Sequence, residues 1–260
     1  MIPTELCHYT KKDIALEKIL FDKQIKFGRL RFTNDPKDSR FTLLPTLQDV
    51  ELNWKWNPEI ESLASNIQLD EWKVLCLTKN LKSRTTEGNS YLFQKGYCRP
   101  RMWAQYAENH KGVCLIFDGR QLHENIKRHA SKKQCKVFHG SVSYRNAHIS
   151  PGYLNITNFI KSGENELRDY YRKFYKEIFL FKYQDWKNES EYRWLINNET
   201  ITEEYVDIEG ALTSVLVGMD FPVAYEPALK DLCKELKASA GRMFWFDGAP
   251  YPTVDDIYKP

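Results

Sequence analysis

Residues 100–118 read PRMWAQYAENHKGVCLIFD, and a change of period inside this stretch decides the fold class. Pro100 suits the first turn of a helix, where its missing N–H costs nothing. Met102 and Tyr106 are four residues apart, so they share a helix face, with Trp103 beside them. Gly112 predicts the stop. The next six residues, Val113–Asp118, form an apolar run too short for a helix and read as a buried strand.

The same alternation of helix and short strand extends outward in both directions. Upstream, residues 73–78 (KVLCLT) read as a strand, and a helix is expected after Pro58. Residues 79–99 are polar with little periodicity and suggest a long mobile loop. The strand-like KFGRLRF ends at Asn34-Asp35-Pro36, a strong turn signal. At the start, ELCHYT reads as a strand, and Ile14, Ala15, Ile19 and Leu20 mark one helix face, with Thr10 and Asp13 resembling a capping box. Downstream, a basic helical stretch at 121–133 leads into a strand at 135–145. Residues 163–183 carry the longest helical pattern, through Leu167, Tyr170, Tyr171, Phe174, Ile178 and Phe181. Strands are expected at 191–197, 203–208, 214–219 and 241–248, and a helix at 226–236. No linker or repeat interrupts the series, which fits a single α+β domain over residues 1–260.

Composition agrees with a globular protein. Of 260 residues, 42% are hydrophobic and 28% charged, and 38 Lys+Arg against 35 Asp+Glu leave a net charge of +3. Disorder and collagen-like repeats are excluded. No run approaches the ~18 apolar residues of a membrane span, and the opening MIPTELCHYTKK lacks the apolar core of a secretion signal. A cytoplasmic protein without membrane contact is expected. Six cysteines are scattered without a C-x-x-C pair, so buried free thiols and no metal site are expected. The aromatic content, 14%, fits either a ring-rich core or a cleft in which rings stack on a ligand.

The phosphate loop G-x-x-x-x-G-K-[ST], the dinucleotide fingerprint G-x-G-x-x-G, H-E-x-x-H and G-x-S-x-G are all missing. Three clusters remain. In the first, His8 and Thr10 point to one face of a strand around Tyr9, where they either converge on a ligand or serve as a buried ring and a helix cap. In the second, Trp103 and Tyr106 either dock a helix on the core or offer a ring to a flat cationic heterocycle. In the third, Glu189, Glu191 and Arg193 lie on one face of a strand, either as a solvated salt bridge or as carboxylates that stabilise positive charge developing on a sugar carbon.

The ordered set His8-Tyr9-Thr10, Asn34-Asp35-Pro36, MWAQYAENHKGVCLIFD (102–118) and WKNESEYR (186–193) resembles a large bacterial domain-of-unknown-function family over roughly residues 5–220. That family in turn looks like the ADP-ribosyltransferase fold in its toxin-like branches. The resemblance implies split mixed β-sheets with flanking helices and NAD as substrate, without a metal. It implies that His8, with Tyr9 and Thr10 beside it, holds the adenosine ribose, and that Trp103 or Tyr106 stacks on nicotinamide. It further implies that Glu191, supported by Glu189 and with Arg193 alongside, stabilises an oxocarbenium-like transition state. ADP-ribose would pass to a macromolecular acceptor. An NAD glycohydrolase and a non-catalytic binding module are the alternatives. Between residues 120 and 148 lie Arg120, Lys127, Arg128, Lys132, Lys133, Lys136 and Arg145 against Glu124 alone. Lys127, Arg128, Lys132 and Lys133 therefore form a candidate phosphate-backbone patch or a solvated helix face, with a nucleic-acid acceptor slightly favoured over a protein. A toxin–antitoxin or phage-defence setting would add a neutralising antitoxin or chaperone partner.

Overall fold

A computed structural model describes residues 1–40, 58–81, 92–147, 151–200 and 202–258. Residues 82–91 of the segment 79–99, read above as a loop, lie outside them. The chain begins with strand β1 (Glu5–Thr10), a π-helical segment (Ile14–Leu20), strand β2 (Gln24–Arg29), a 3-10 turn (Leu30–Phe32) and the short helix α1 (Pro36–Ser39). Helix α2 (Pro58–Asp70), β3 (Trp72–Lys79), α3 (Pro100–Tyr106), β4 (Val113–Asp118), α4 (Gly119–Lys133), β5 (Lys136–Ser141) and β6 (Ser143–Tyr144) follow. Then come α5 (Ile156–Ser162), α6 (Glu164–Lys173), α7 (Tyr175–Phe179), β7 (Phe181–Lys182), a 3-10 helix (Gln184–Glu189) and β8 (Glu191–Asn197). Strands β9 (Glu204–Asp207) and β10 (Leu212–Val217), helix α8 (Glu226–Glu235), and β11 (Ser239–Phe246) and β12 (Ala249–Tyr258) close the series.

Ten strands form one mixed sheet in the order β12-β11-β10-β4-β1-β3-β2-β9, with β8 on the other edge of β3 and β5 beyond it. The α+β class is as the alternation predicts. Three local expectations are corrected. The long helical pattern breaks into α6, α7 and the strand β7, because Phe174 and Leu180 leave helical geometry with ψ of 23° and 34°. Glu108, Asn109 and His110 take left-handed backbone after α3, so that helix ends well before Gly112. Thr10 makes no side-chain hydrogen bond among the described residues and caps nothing. The Pro-containing β12 was not expected as a strand; its place at the sheet edge explains why two prolines are tolerated there.

Strand β3 is where the sheet forks. One edge pairs with β8 along its whole length, Trp72↔Asn197 to Thr78↔Glu191. The other edge is shared between two strands. β1 meets it only at Leu6↔Lys79 and Cys7↔Thr78, and β2 only at Gly28↔Val74 and Arg29↔Lys73. Between those registers β1 and β2 part, and the backbone of Leu75–Leu77 faces the gap.

Apolar packing holds the fork open. Leu6, Leu75, Leu77, Tyr192 and Trp194 pack on one face with the π-helical segment, α4 and α8. The opposite face carries two separate cores. One gathers Trp72, Val74 and Leu195 under α2 and α5–α7; the other gathers Cys7, Tyr9, Met102 and Trp103 under β1 and β4. Gly112 and Gly218 are fixed by close approach rather than by conformation. A Cβ on Gly112 would lie 2.4 Å from the Thr10 carbonyl oxygen, and one on Gly218 1.9 Å from that of His110.

Candidate active site

Two cavities open on the fork. One, of about 840 Å³, is lined by Ile14, Ile19, Ile25, Arg29, Leu75 and Tyr205 among others. The second, of about 690 Å³, is lined by Thr78, Met102, Tyr106, Lys182, Glu189, Glu191, Arg193 and Asp38 among others. His8, Phe32, Thr33 and Cys76 border both. Each volume lies in the ordinary range of small-molecule sites.

His8 bridges the split. Its Nδ1 lies 3.2 Å from the Cys76 carbonyl oxygen. A carbonyl only accepts, so Nδ1 carries the proton and Nε2 is left as an acceptor. Burial lowers the pKa of the ring, partly offset by that bond, which favours the neutral form.

The second cavity contains a buried ion network. Arg193, 1% exposed, donates from Nη2 and Nη1 to Asp38 at 2.6 and 3.2 Å, from Nη1 to the Phe179 carbonyl at 2.8 Å, and from Nε to Glu191 Oε2 at 3.0 Å. Lys182 donates to Glu189 Oε2 at 2.8 Å and lies 3.3 Å from Glu191 Oε2. Tyr106 donates to Glu189 Oε1 at 2.5 Å and accepts from Asn34 Nδ2 at 2.7 Å. All three contacts to Glu191 fall on Oε2; Oε1 takes no hydrogen bond among the described residues, and Glu191 lines the cavity. The Glu191 backbone N–H donates to the Tyr144 hydroxyl at 2.8 Å, which fixes the start of β8.

Electrostatics follow from this packing. Burial raises the Asp38 carboxyl, but the Arg193 guanidinium outweighs it and holds the pKa below the usual carboxylate range. Burial lowers Arg193 and Lys182, and their carboxylate neighbours reverse the shift, so both are raised. Burial and the bond to Glu189 push the Tyr106 hydroxyl up. Lys37 goes the other way: burial brings it down to about 8.

The sequence-derived candidates fall into three groups. His8, Tyr9, Tyr106, Glu189, Glu191 and Arg193 border the second cavity. Tyr9 presents little chemistry, since its hydroxyl donates to the Gly96 carbonyl at 2.7 Å. Trp103 and Thr10 line neither cavity. The Trp103 ring is 2% exposed, stands edge-on to Tyr9 at 5.2 Å and donates to the Tyr97 carbonyl, so it builds the core. Lys127, Arg128, Lys132 and Lys133 lie on the solvent face of α4 and border neither cavity; Lys127 is 3.3 Å from Glu124.

Glu189 reaches the site by a route that strand alternation does not describe. It ends the 3-10 helix, and Ser190 takes left-handed backbone (φ 47°, ψ 48°), which turns both carboxylates onto Lys182. Sequence reading missed Asp38, Lys182 and Phe32. Asp38 follows the Asn34-Asp35-Pro36 turn by two residues, Lys182 sat inside an apparent helix, and Phe32 closed an apparent strand that is in fact a 3-10 turn there. Phe32 is 75% exposed at the junction of the two cavities. Among the described residues no group of three or more His, Cys, Asp or Glu is arranged to hold a metal ion, and no helix is long and apolar enough to cross a membrane.

Residues 102–194 match the family described as "Protein of unknown function (DUF2971)". The matched stretch takes in Tyr106, Lys182, Glu189, Glu191 and Arg193, and leaves His8, Phe32 and Asp38 outside it. No curated protein and no solved structure matches the chain.

Proposed function

We propose that this protein cleaves NAD at the nicotinamide–ribose bond and transfers the ADP-ribose to a macromolecular acceptor. The observation that carries the reading is the cavity pair joined at His8, with Glu191 Oε1 open to one of the two. A dinucleotide has two halves joined by a narrow link, and a bipartite cleft through a split sheet suits that shape. The gap between β1 and β2 along β3 partly splits the one ten-stranded sheet and supports this reading, where the resemblance to ADP-ribosyltransferases implies split sheets.

In this reading the neutral His8 accepts a ribose hydroxyl at Nε2, and Phe32 offers a ring face to one of the heterocycles. Glu191 Oε1 accepts from a hydroxyl of the nicotinamide ribose. Nicotinamide leaves with the bonding electron pair, and the carboxylate stabilises the positive charge that develops on the sugar carbon. Arg193 and Lys182 hold Glu191 by Oε2 alone, so the working oxygen is aimed without being used up. The acceptor's nucleophile then bonds to the sugar carbon and releases its proton to Glu189. That carboxylate has two contacts, to Tyr106 and Lys182, out of about four lone-pair sites.

The test is nicotinamide release from NAD by the purified protein, with label transfer followed in RNA, DNA and protein fractions. Release with label in one fraction supports transfer. Release without label in any fraction would replace transfer by hydrolysis, and no release, with no binding of NAD in a titration, would remove the reading.

A further inference from the structure

On the Glu189 side of the second cavity the surface changes character. Trp186, on the same 3-10 helix as Glu189, has the Lys182 ammonium 4.9 Å and the Arg101 guanidinium 5.8 Å from its ring centroid. Arg101 is exposed and anchored by a bond from Nη1 to the Asp185 carbonyl oxygen at 3.2 Å. Tyr183, 46% exposed, stands edge-on to Phe181. Arg145 is tied to this segment through its backbone N–H, which donates to the Lys182 carbonyl oxygen. Across the cavity Lys11 contributes to the lining. Lys11, Arg101, Arg145 and Lys187 are all exposed, and none pairs with a carboxylate among the described residues. The exposed carboxylate of this segment is Asp185.

Cations without carboxylate partners, beside the exposed ring of Tyr183 and the half-buried ring of Trp186 and next to a cavity with buried carboxylates, form a surface for a polyanion whose units also stack. We infer that this rim binds single-stranded nucleic acid, cations to the phosphates and Tyr183 and Trp186 to the bases, and so presents the acceptor to the second cavity. The inference rests on the reading above for what happens in the cavity, but not for the binding itself. It moves the acceptor surface from α4 to the segment beside Glu189, which itself supplies Lys182 and Glu189 to the lining of the second cavity. A folded protein acceptor would find four cations and little continuous apolar area.

The test is fluorescence anisotropy with labelled 12-nucleotide oligo(U) and oligo(dT), without NAD, at several salt concentrations. The wild type is expected to bind at least one probe; which one separates RNA from single-stranded DNA. The double variant Arg101→Glu/Lys187→Glu should weaken binding more than tenfold and lower the slope of log K against log salt by about 1.4, at roughly 0.7 per phosphate contact. Lys132→Glu/Lys133→Glu on α4 should stay within twofold of wild type. Failure of the wild type to bind either probe, or a loss confined to the α4 variant, would overturn the inference. Label transfer to protein alone would also overturn it. An NAD titration of the rim variant should match wild type; a wild type that binds oligonucleotide but not NAD would count against the proposed reaction and leave the rim standing.

Discussion

Asp38 and Arg193 are 155 residues apart in sequence and form a buried two-point ion pair, with Arg193 Nη2 2.6 Å from Asp38 Oδ2 and Nη1 3.2 Å from Oδ1. The same guanidinium holds Glu191. The short helix α1 thereby sets the position of a carboxylate on the far side of β3, and the site is built from segments far apart in the chain.

Truncation of Asp38 tests this link. Asp38→Ala leaves a fully buried guanidinium with one carboxylate fewer, and breaking such a pair costs about 3–5 kcal/mol. Chemical denaturation of the variant should show a loss of that order. A loss below about 1 kcal/mol would mean that Arg193 finds water or another partner.

Trp103, flagged in sequence, should separate from Phe32, which was missed. Trp103→Ala removes a buried indole and should cost about 3–5 kcal/mol of stability. Phe32→Ala removes an exposed ring, so its melting temperature should stay at the wild-type value. Its affinity for NAD should drop about 5- to 150-fold, the equivalent of roughly 1–3 kcal/mol of stacking. Isothermal titration with NAD and a thermal melt of each variant distinguish the roles.

The pKa of His8 is lowered by burial, and that fixes the sign of a pH effect. Above pH about 6.5 the ring is neutral in both folded and unfolded chains, so it contributes no pH dependence there. Below that the unfolded chain takes up a proton that the fold resists, and stability falls. NAD affinity should stay flat from pH 8 to 6.5, because Nε2 remains an acceptor. His8→Gln should reduce the loss of stability between pH 6.5 and 5, though His123 and His139, also lowered by burial, keep part of it. A wild-type slope retained in full would show that His8 is protonated in the fold.

Much of the frame was legible from period alone. Val113–Asp118 is buried along nearly every residue, and its continuous apolar run announces such a strand; Glu191–Asn197 is buried throughout as well, although Glu191, Arg193 and Asn197 interrupt its apolar residues. His8, Glu189, Glu191 and Tyr106 were legible as residue types capable of chemistry, and the structure brings all four to one cavity. What escaped was set by long-range contact. Lys182 and Asp38 acquire meaning only through Glu191 and Arg193. The left-handed Ser190 is invisible to a period-two reading, although it is what lets Glu189 join Glu191 on Lys182. Trp103 and Tyr106, adjacent on a helical wheel, end on opposite sides of the boundary between core and cavity because α3 lies across it.

The most direct measurement is the rate of nicotinamide release from NAD by wild type and by Glu191→Gln, with NAD affinity measured on both. The substitution keeps the shape of the side chain and removes the charge on Oε1. Release should fall by about 10²–10³-fold, the scale of losing one transition-state charge contact, while affinity changes by no more than a few fold. Release from the variant at the wild-type rate would contradict the assignment of Glu191 to the reacting sugar.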